Sequence, residues 1–181
     1  AIAIGAFLIF AGVILFQPFI IKNYISPEAV GEELTLNMPI AGSTLYRLYI
    51  WDFVSSRIME KSIMGWGVGA SRHIGDEETI IDPKWGEIGE AVPLHPHNAF
   101  LQLQLELGVL GLVLSLVPIA MMLWRLSLPA ISHAARFAGI GLLFSVFFQY
   151  AISFSVWSSW WNAAVLFSLA IMVAVWRNRD T

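Results

Sequence analysis

Residues Ala1 to Ile21 carry no charged side chain, and three further stretches of this chain are nearly as apolar. The second runs from about Ala99 to Trp124 and contains one acid, Glu106. The last two share Phe137 to Trp176, which is too long for one ordinary crossing of a bilayer core, about 20 residues. A polar and aromatic break, Ser155-Val156-Trp157-Ser158-Ser159-Trp160-Trp161-Asn162, divides it, and Trp clusters favour the membrane–water interface. Lipid is the solvent this pattern requires. Of the 181 residues 57% are hydrophobic and 13% charged, where soluble domains carry about a quarter charged. A chain this short cannot hide that excess in one core. The expected fold is therefore all-α. It is a polytopic inner-membrane protein with about four transmembrane helices (1–21, 99–124, 137–155 and 158–176) and a long loop, 22–98, that contains an amphipathic helix.

Charge sets the expected orientation. The connection Arg125 to Arg136 holds two Arg and no acid, and the tail holds Arg177 and Arg179 against Asp180. The positive-inside rule makes that side cytoplasmic. The segment Lys22 to Asn98, with 11 of the 13 acids, then lies outside, on the periplasmic side of a bacterial inner membrane. A net charge of −3 gives no footing for nucleic acid, and the lack of cysteine excludes disulfides and thiolate metal sites. The chain opens inside an apolar run with no basic residues ahead of it, so it reads as the C-terminal part of a longer protein rather than as a signal peptide and domain.

The outer loop is uneven. Lys22 to Gly42 reads as irregular. Thr44 to Ser62 places Leu45, Leu48, Trp51, Ile58 and Met59 at helical spacing, with Arg47, Asp52, Ser55 and Arg57 at polar positions. That predicts an amphipathic helix at the membrane surface or against the other helices. Gly65-Trp66-Gly67-Val68-Gly69 breaks it. Gly75 to Val92 is acidic, turn-rich and expected to be mobile.

Chemistry gathers in Pro93-Leu94-His95-Pro96-His97-Asn98, where the loop enters the second span. Asn98 suits an N-cap, and the histidines could be plain interfacial residues. A histidine at a membrane-facing cleft could equally serve as a general base, being neutral near pH 7. A metal site from His95, His97 and His73 is a third reading, without a carboxylate at diagnostic spacing. Glu106 stands within a span, below Asn98 and Gln102 on one side of the helix. It is either a functional carboxylate or one that reaches water or a partner Arg. Gln149 and Asn162 read as helix–helix hydrogen bonds. Arg47 and Arg57, roughly 80° apart on an ideal helix, are either solvated or phosphate-binding, since the guanidinium fork matches phosphate oxygens. The Gly-rich run lacks the Lys-Ser/Thr of a nucleotide loop.

Arg47 and Trp51, then Gly65-Trp66-Gly67-Val68-Gly69, then His95-Pro96-His97-Asn98-Ala99-Phe100-Leu101-Gln102, then Glu106-Leu107-Gly108-Val109-Leu110-Gly111, form an ordered set. In this order they resemble the O-antigen ligase family, which includes O-antigen and other polysaccharide polymerases. The likeness covers about Thr44 to Trp124, with Pro96 where the family has a small residue. It implies a larger protein of about a dozen helices, of which this is the C-terminal part, with a further active-site Arg upstream.

The resemblance implies glycosyl transfer on the outer face of the inner membrane, without cofactor or metal, by inversion. The donor would be a glycan on undecaprenyl pyrophosphate and the acceptor a hydroxyl of lipid A–core or of another lipid-linked glycan, both held among membrane lipid. By residue match, His97 would be the catalytic base and Arg47 the pyrophosphate ligand. Arg57 and Arg72 would assist, His95 would support, and Asn98 or Glu106 would orient His97 or its neighbours. A transporter segment with Glu106 and His97 along a pathway is the alternative. The absence of a repeat and the gathering of polar residues at one end of one span weigh against it. A scaffold binding a partner through the acidic 75–90 stretch is a weaker alternative.

Overall fold

The computed structural model describes residues 2–35, 41–84 and 86–177. Arg179 and Asp180, counted above for the charged tail, lie outside the described residues. The chain is mostly helical. In order it forms α1 (Ile2–Tyr24), α2 (Pro27–Thr35), α3 (Ala41–Glu60), a single 3-10 turn (Ala70–Arg72), strands β1 (Thr79–Asp82) and β2 (Gly86–Glu90), then α4 (Ala99–Ser127), α5 (His133–Ile152) and α6 (Ser159–Arg177).

Three of these helices are long and apolar enough to cross a membrane: Phe7–Tyr24 within α1, Ala99–Ser127 and His133–Ile152. This is the pattern of a membrane protein, because a helix satisfies its own backbone where no water can. The fourth expected span coincides with α6, whose apolar part, Ser159–Ala174, is shorter. Outward-facing side chains along these helices are large and apolar, among them Leu8, Phe16, Leu114, Phe144 and Phe167.

α3 is not a helix floating on lipid. It packs between α1, α2 and α4. Its buried row is Leu45, Tyr49, Ile50, Val54 and Ile58, joined by Ile21, Leu101 and Leu105. Two positions differ from the amphipathic pattern: Met59 is exposed, and Ser55 is fully buried. Contact on several sides replaces a single wet-to-dry axis. The preceding stretch, expected to be irregular, contains α2, with Ser26 accepting from the Ala29 N–H at its start.

The acidic stretch expected to be mobile folds as an antiparallel hairpin, Thr79 opposite Glu90 and Asp82 opposite Gly86, with a bulge between Ile80 and Ile81. Two tyrosines on α3 hold it: Tyr46 Oη donates to Glu90 O (2.7 Å) and Tyr49 Oη to Asp82 Oδ2 (2.6 Å). The small sheet is the one departure from an all-α body among the described residues.

α4 is broken at Gly108 (φ 65°, ψ −168°). The loop after α3 plugs the gap. Ser62 and Ile63 carbonyls accept from Val109 and Leu110 N–H, while Trp66 and Gly67 N–H donate to Leu105 and Glu106 carbonyls. Four backbone groups at the break thus find partners in the loop, as burial demands. A Cβ on Gly108 would lie 2.1 Å from Ile63 O, and one on Gly65 2.6 Å from the Glu106 carbonyl. Both residues also have positive φ, so glycine is required twice. The paired glycines of the two motifs are the two sides of one crossing.

A second repair sits deeper. Pro18 in α1 lacks the N–H that would bond Ile14 O. Gln104 Nε2 donates to that carbonyl instead, at 2.9 Å. At the far end of α4, Arg136 donates to the Leu126, Leu128 and Ile131 carbonyls and closes the connection to α5.

Candidate active site

Asn98 caps α4, its side chain accepting from Phe100 and Leu101 N–H at 3.1 Å each. The cap fixes the direction in which the preceding residues leave the helix. Trp51 Nε1 on α3 then donates to Pro96 O (2.8 Å) and pins the His95-Pro96-His97 turn. His97 has φ 54°, the one positive φ outside glycine among the described residues. Such a conformation costs on the order of 1–3 kcal/mol and persists where neighbours over-determine it.

This turn delivers His95 and His97 to the C-terminal end of α5, where Arg47 also arrives. Arg47 Nη1 donates to Ile152 O (2.9 Å), and His97 Nδ1 lies 3.3 Å from Ser153 O. The last carbonyls of a helix have no partner within it and attract cationic donors. A carbonyl only accepts, so Nδ1 of His97 carries the hydrogen, and in the neutral ring Nε2 keeps a lone pair. His95 is set the other way: its Nδ1 accepts from His97 N–H (3.1 Å), so it cannot be protonated there. The two rings are 4.4 Å apart.

Burial pushes the His95 imidazolium down to about 4, helped by His97 and Arg47. Burial also lowers His97; the Ser153 carbonyl opposes this and the Arg47 charge adds to it. Both rings are therefore neutral near pH 7, each with a defined hydrogen.

Glu106 belongs to a different cluster. It is fully buried at the end of the first half of α4. Four donors surround its carboxylate: Gly69 N–H (2.8 Å), Ser71 Oγ (2.5 Å), Gln102 Nε2 (3.0 Å) and Trp157 Nε1 (2.6 Å). His97 is not one of them. Gln102 links the clusters, since its Oε1 accepts from Val156 N–H in the α5–α6 turn (3.1 Å), close after Ser153. Asn162 braces the same turn, donating to Val156 O (2.9 Å) and accepting from Tyr150 Oη.

The remaining candidates lie apart. Arg57 pairs with Glu60 and Glu78 and stacks over Phe53. Arg72 is exposed at the mouth of a cleft of about 400 Å³ lined by Trp66, Val68, Gly69, Ala70, His73 and Trp157. His73 pairs with Asp76 (3.1 Å), away from His95 and His97 in its bonding, and among the described residues no three His, Asp or Glu side chains form a metal-holding group.

Sequence reasoning missed Ser153, Gly69, Ser71, Gln104 and Trp157. For Trp157 there was a misleading signal, its place in an interfacial cluster. For Gln104 the signal was Pro18, whose orphaned carbonyl calls for a donor.

A family model described as O-Antigen ligase matches residues 1–116. The chain belongs to the O-antigen ligase family. Similar proteins include one from Rickettsia conorii, provisionally named a polysaccharide ligase, 36% identical over 163 residues. Others of the same provisional name come from Rickettsia typhi (33% over 153 residues) and Rickettsia bellii (34% over 155). Each match covers 84% of this chain, and 36%, 37% and 36% of the respective relative, so the chain spans little more than a third of their length. No solved structure matches. The family match ends inside the second half of α4, so both linked clusters draw residues from within it and from the α5–α6 turn beyond it.

Proposed function

We propose that this chain carries the catalytic part of a membrane glycosyltransferase. It would move a glycan from undecaprenyl pyrophosphate to a sugar hydroxyl of lipid A–core or of a second lipid-linked glycan. The observation that carries the reading is the meeting of Arg47 with a tautomer-fixed His97 at the end of α5. The Rickettsia relatives, named for polysaccharide ligation, supply the substrate class.

In this reading Nε2 of His97 takes the proton of the acceptor hydroxyl. The oxygen attacks the anomeric carbon, its new C–O bond forming as the bond to pyrophosphate breaks on the opposite face, which inverts the centre. The pyrophosphate leaves with the electron pair. Arg47 meets its growing charge with a planar fork, an interaction stronger in the transition state than in the ground state. No metal is assigned a part. Arg57 is engaged by Glu60 and Glu78, so Arg47 carries the main pyrophosphate contact in this reading; Asn98, Trp51 and His95 hold the turn. The fork of Arg47 bonds one carbonyl among the described residues, so further N–H groups can face the leaving group.

α6 is read as a fourth span paired with α5, and the positive charge of Arg125 and Arg136 supports a cytoplasmic position for their side. The His97 turn then faces the periplasm of an inner membrane, where lipid-linked glycans would meet it. The transporter alternative gains no support, because the polar groups collect in two braced clusters rather than along a path.

The test uses the full-length protein in a deletion strain of its host. His97→Ala should cut glycan transfer at least about 100-fold, the usual worth of a general base, with normal membrane insertion. Arg47→Lys, which keeps the charge without the fork, should also lower turnover clearly. Bare core with accumulating lipid-linked polymer would identify a ligase, and core with one repeat unit a polymerase. Wild-type glycan chains from the His97→Ala strain would end the assignment.

A further inference from the structure

The cleft around Arg72 is not used by the chemistry above, yet it is built with care. Two indoles, Trp66 and Trp157, are among its lining residues. Trp66 Nε1 donates to Arg57 O (2.8 Å) and the Lys61 ammonium sits 3.9 Å from its ring centre. Trp157 Nε1 donates to Glu106 while the residue stays 44% exposed. Both N–H groups thus point into the protein, which locks the rings and leaves carbon surface toward the cleft. The guanidinium of Arg72, an exposed lining residue, makes no hydrogen bond or ion pair among the described residues; only its backbone N–H is engaged, donating to Gly69 O. A cleft of about 400 Å³ falls in the range of small-molecule sites, roughly 300–1,000 Å³.

Fixed aromatic surface beside an unengaged guanidinium suits a pyranose. Sugar rings present an apolar C–H face that stacks on indole, while their rim of hydroxyls accepts from planar N–H donors. Position supports the same ligand. Trp157 follows Ser153, the partner of His97, by four residues, and four residues of chain span at most about 14 Å. A glycan whose reacting end lies at His97 could reach this cleft with its next sugars.

We infer that the cleft between Trp66 and Trp157 is a pyranose subsite for the glycan chain adjoining the transfer point, with Arg72 as its hydrogen-bonding group. This rests on the glycosyl-transfer reading and deepens it. The sugar could come from the donor or from the acceptor, and the two are told apart by which KM changes.

The experiment is transfer by the full-length protein in proteoliposomes, with the host's own lipid-linked glycan as donor and its own acceptor, each varied in turn. Arg72→Ala and Val68→Trp are compared with wild type and with His97→Ala. Val68 is 70% exposed and lines the cleft, so the larger side chain fills it without disturbing the core. Both variants should raise one KM about tenfold while kcat stays within twofold. The donor KM rising identifies a donor subsite, and the acceptor KM an acceptor subsite. A lipid-free oligosaccharide cut from the host polysaccharide should bind His97→Ala protein, and should bind at least tenfold more weakly once Val68→Trp is added. Both KM values unchanged in both variants would overturn the subsite and leave the two tryptophans as interface anchors. An active His97→Ala protein would overturn the underlying reading instead.

Discussion

The two halves of α4 are one helix in two solvents. From Ala99 to Glu106 every residue is buried in protein, and three of them, Gln102, Gln104 and Glu106, are polar. Each finds its partners: an α1 carbonyl, the Gly-rich loop, the α5–α6 turn. Beyond Gly108, Leu110, Val113, Leu114, Val117 and Met121 face outward without polar company. Buried polar groups are tolerated only when satisfied, and outward apolar ones only where lipid replaces water. The break at Gly108 marks the change. It also turns a loop inward to supply donors to Glu106, which an unbroken helix would leave no room for.

The comparison can be broken most sharply at Glu106. Glu106→Leu strands four donors and should destabilise the protein by about 1–3 kcal/mol for each donor left dry, read as a lower melting temperature of the full-length protein in detergent. Glu106→Gln, which keeps size and one acceptor, should cost less. An unshifted melting temperature for Glu106→Leu would mean the first half is not the braced, dry cluster described.

Two leucines of α4 at opposite extremes of exposure give the next contrast. Leu101, fully buried in the outer core, should lose about 2–5 kcal/mol on truncation to Ala. Leu114, 70% exposed in the second half, should lose within about 0.5 kcal/mol. Equal losses in a thermal series would erase the two-solvent distinction.

Gln104 offers a smaller and more specific test. Gln104→Leu leaves Ile14 O without a donor and should cost about 1–3 kcal/mol. In a Pro18→Ala background, where residue 18 regains its N–H, the same change should be nearly neutral. Additive losses in the double-mutant cycle would show that the two residues are not coupled.

The smallest expected effect is a displacement in pH. A base works unprotonated, and burial with the Arg47 charge holds His97 below the ordinary histidine value near 6.5. Activity should therefore persist below pH 6.5 and fall only as the pH drops through that lowered value. Arg47→Ala removes one depressing charge, so the acid limb of kcat/KM should move to higher pH. A limb that stays fixed would separate Arg47 from His97 electrostatically.

Much of this was legible from local pattern. Three long apolar helices, an interruption between α5 and α6 that overlaps the expected 155–162 break, the Asn98 cap and the row Asn98, Gln102, Glu106 follow from spacing and from residue type within a few positions of each other. α2 and the β-hairpin were not legible, because tyrosines on α3 and packing on neighbouring helices hold them, not their own propensity. Met59 and Ser55 were misplaced for the same reason: α3 has neighbours on several sides. The Gly108 break escaped because an apolar run reads as continuous when its repair comes from residues some 45 positions earlier.

By itself, then, the sequence determined that helices would form and where most begin and end, since a backbone in lipid has no other local way to satisfy its N–H and C=O groups. Tertiary structure alone decided which residues meet. Glu106 finds Ser71 and Trp157, 35 and 51 residues distant, and His97 finds Ser153, 56 residues distant. Hydrogen bonds over such separations depend on how whole helices pack, and no window of residues contains both partners.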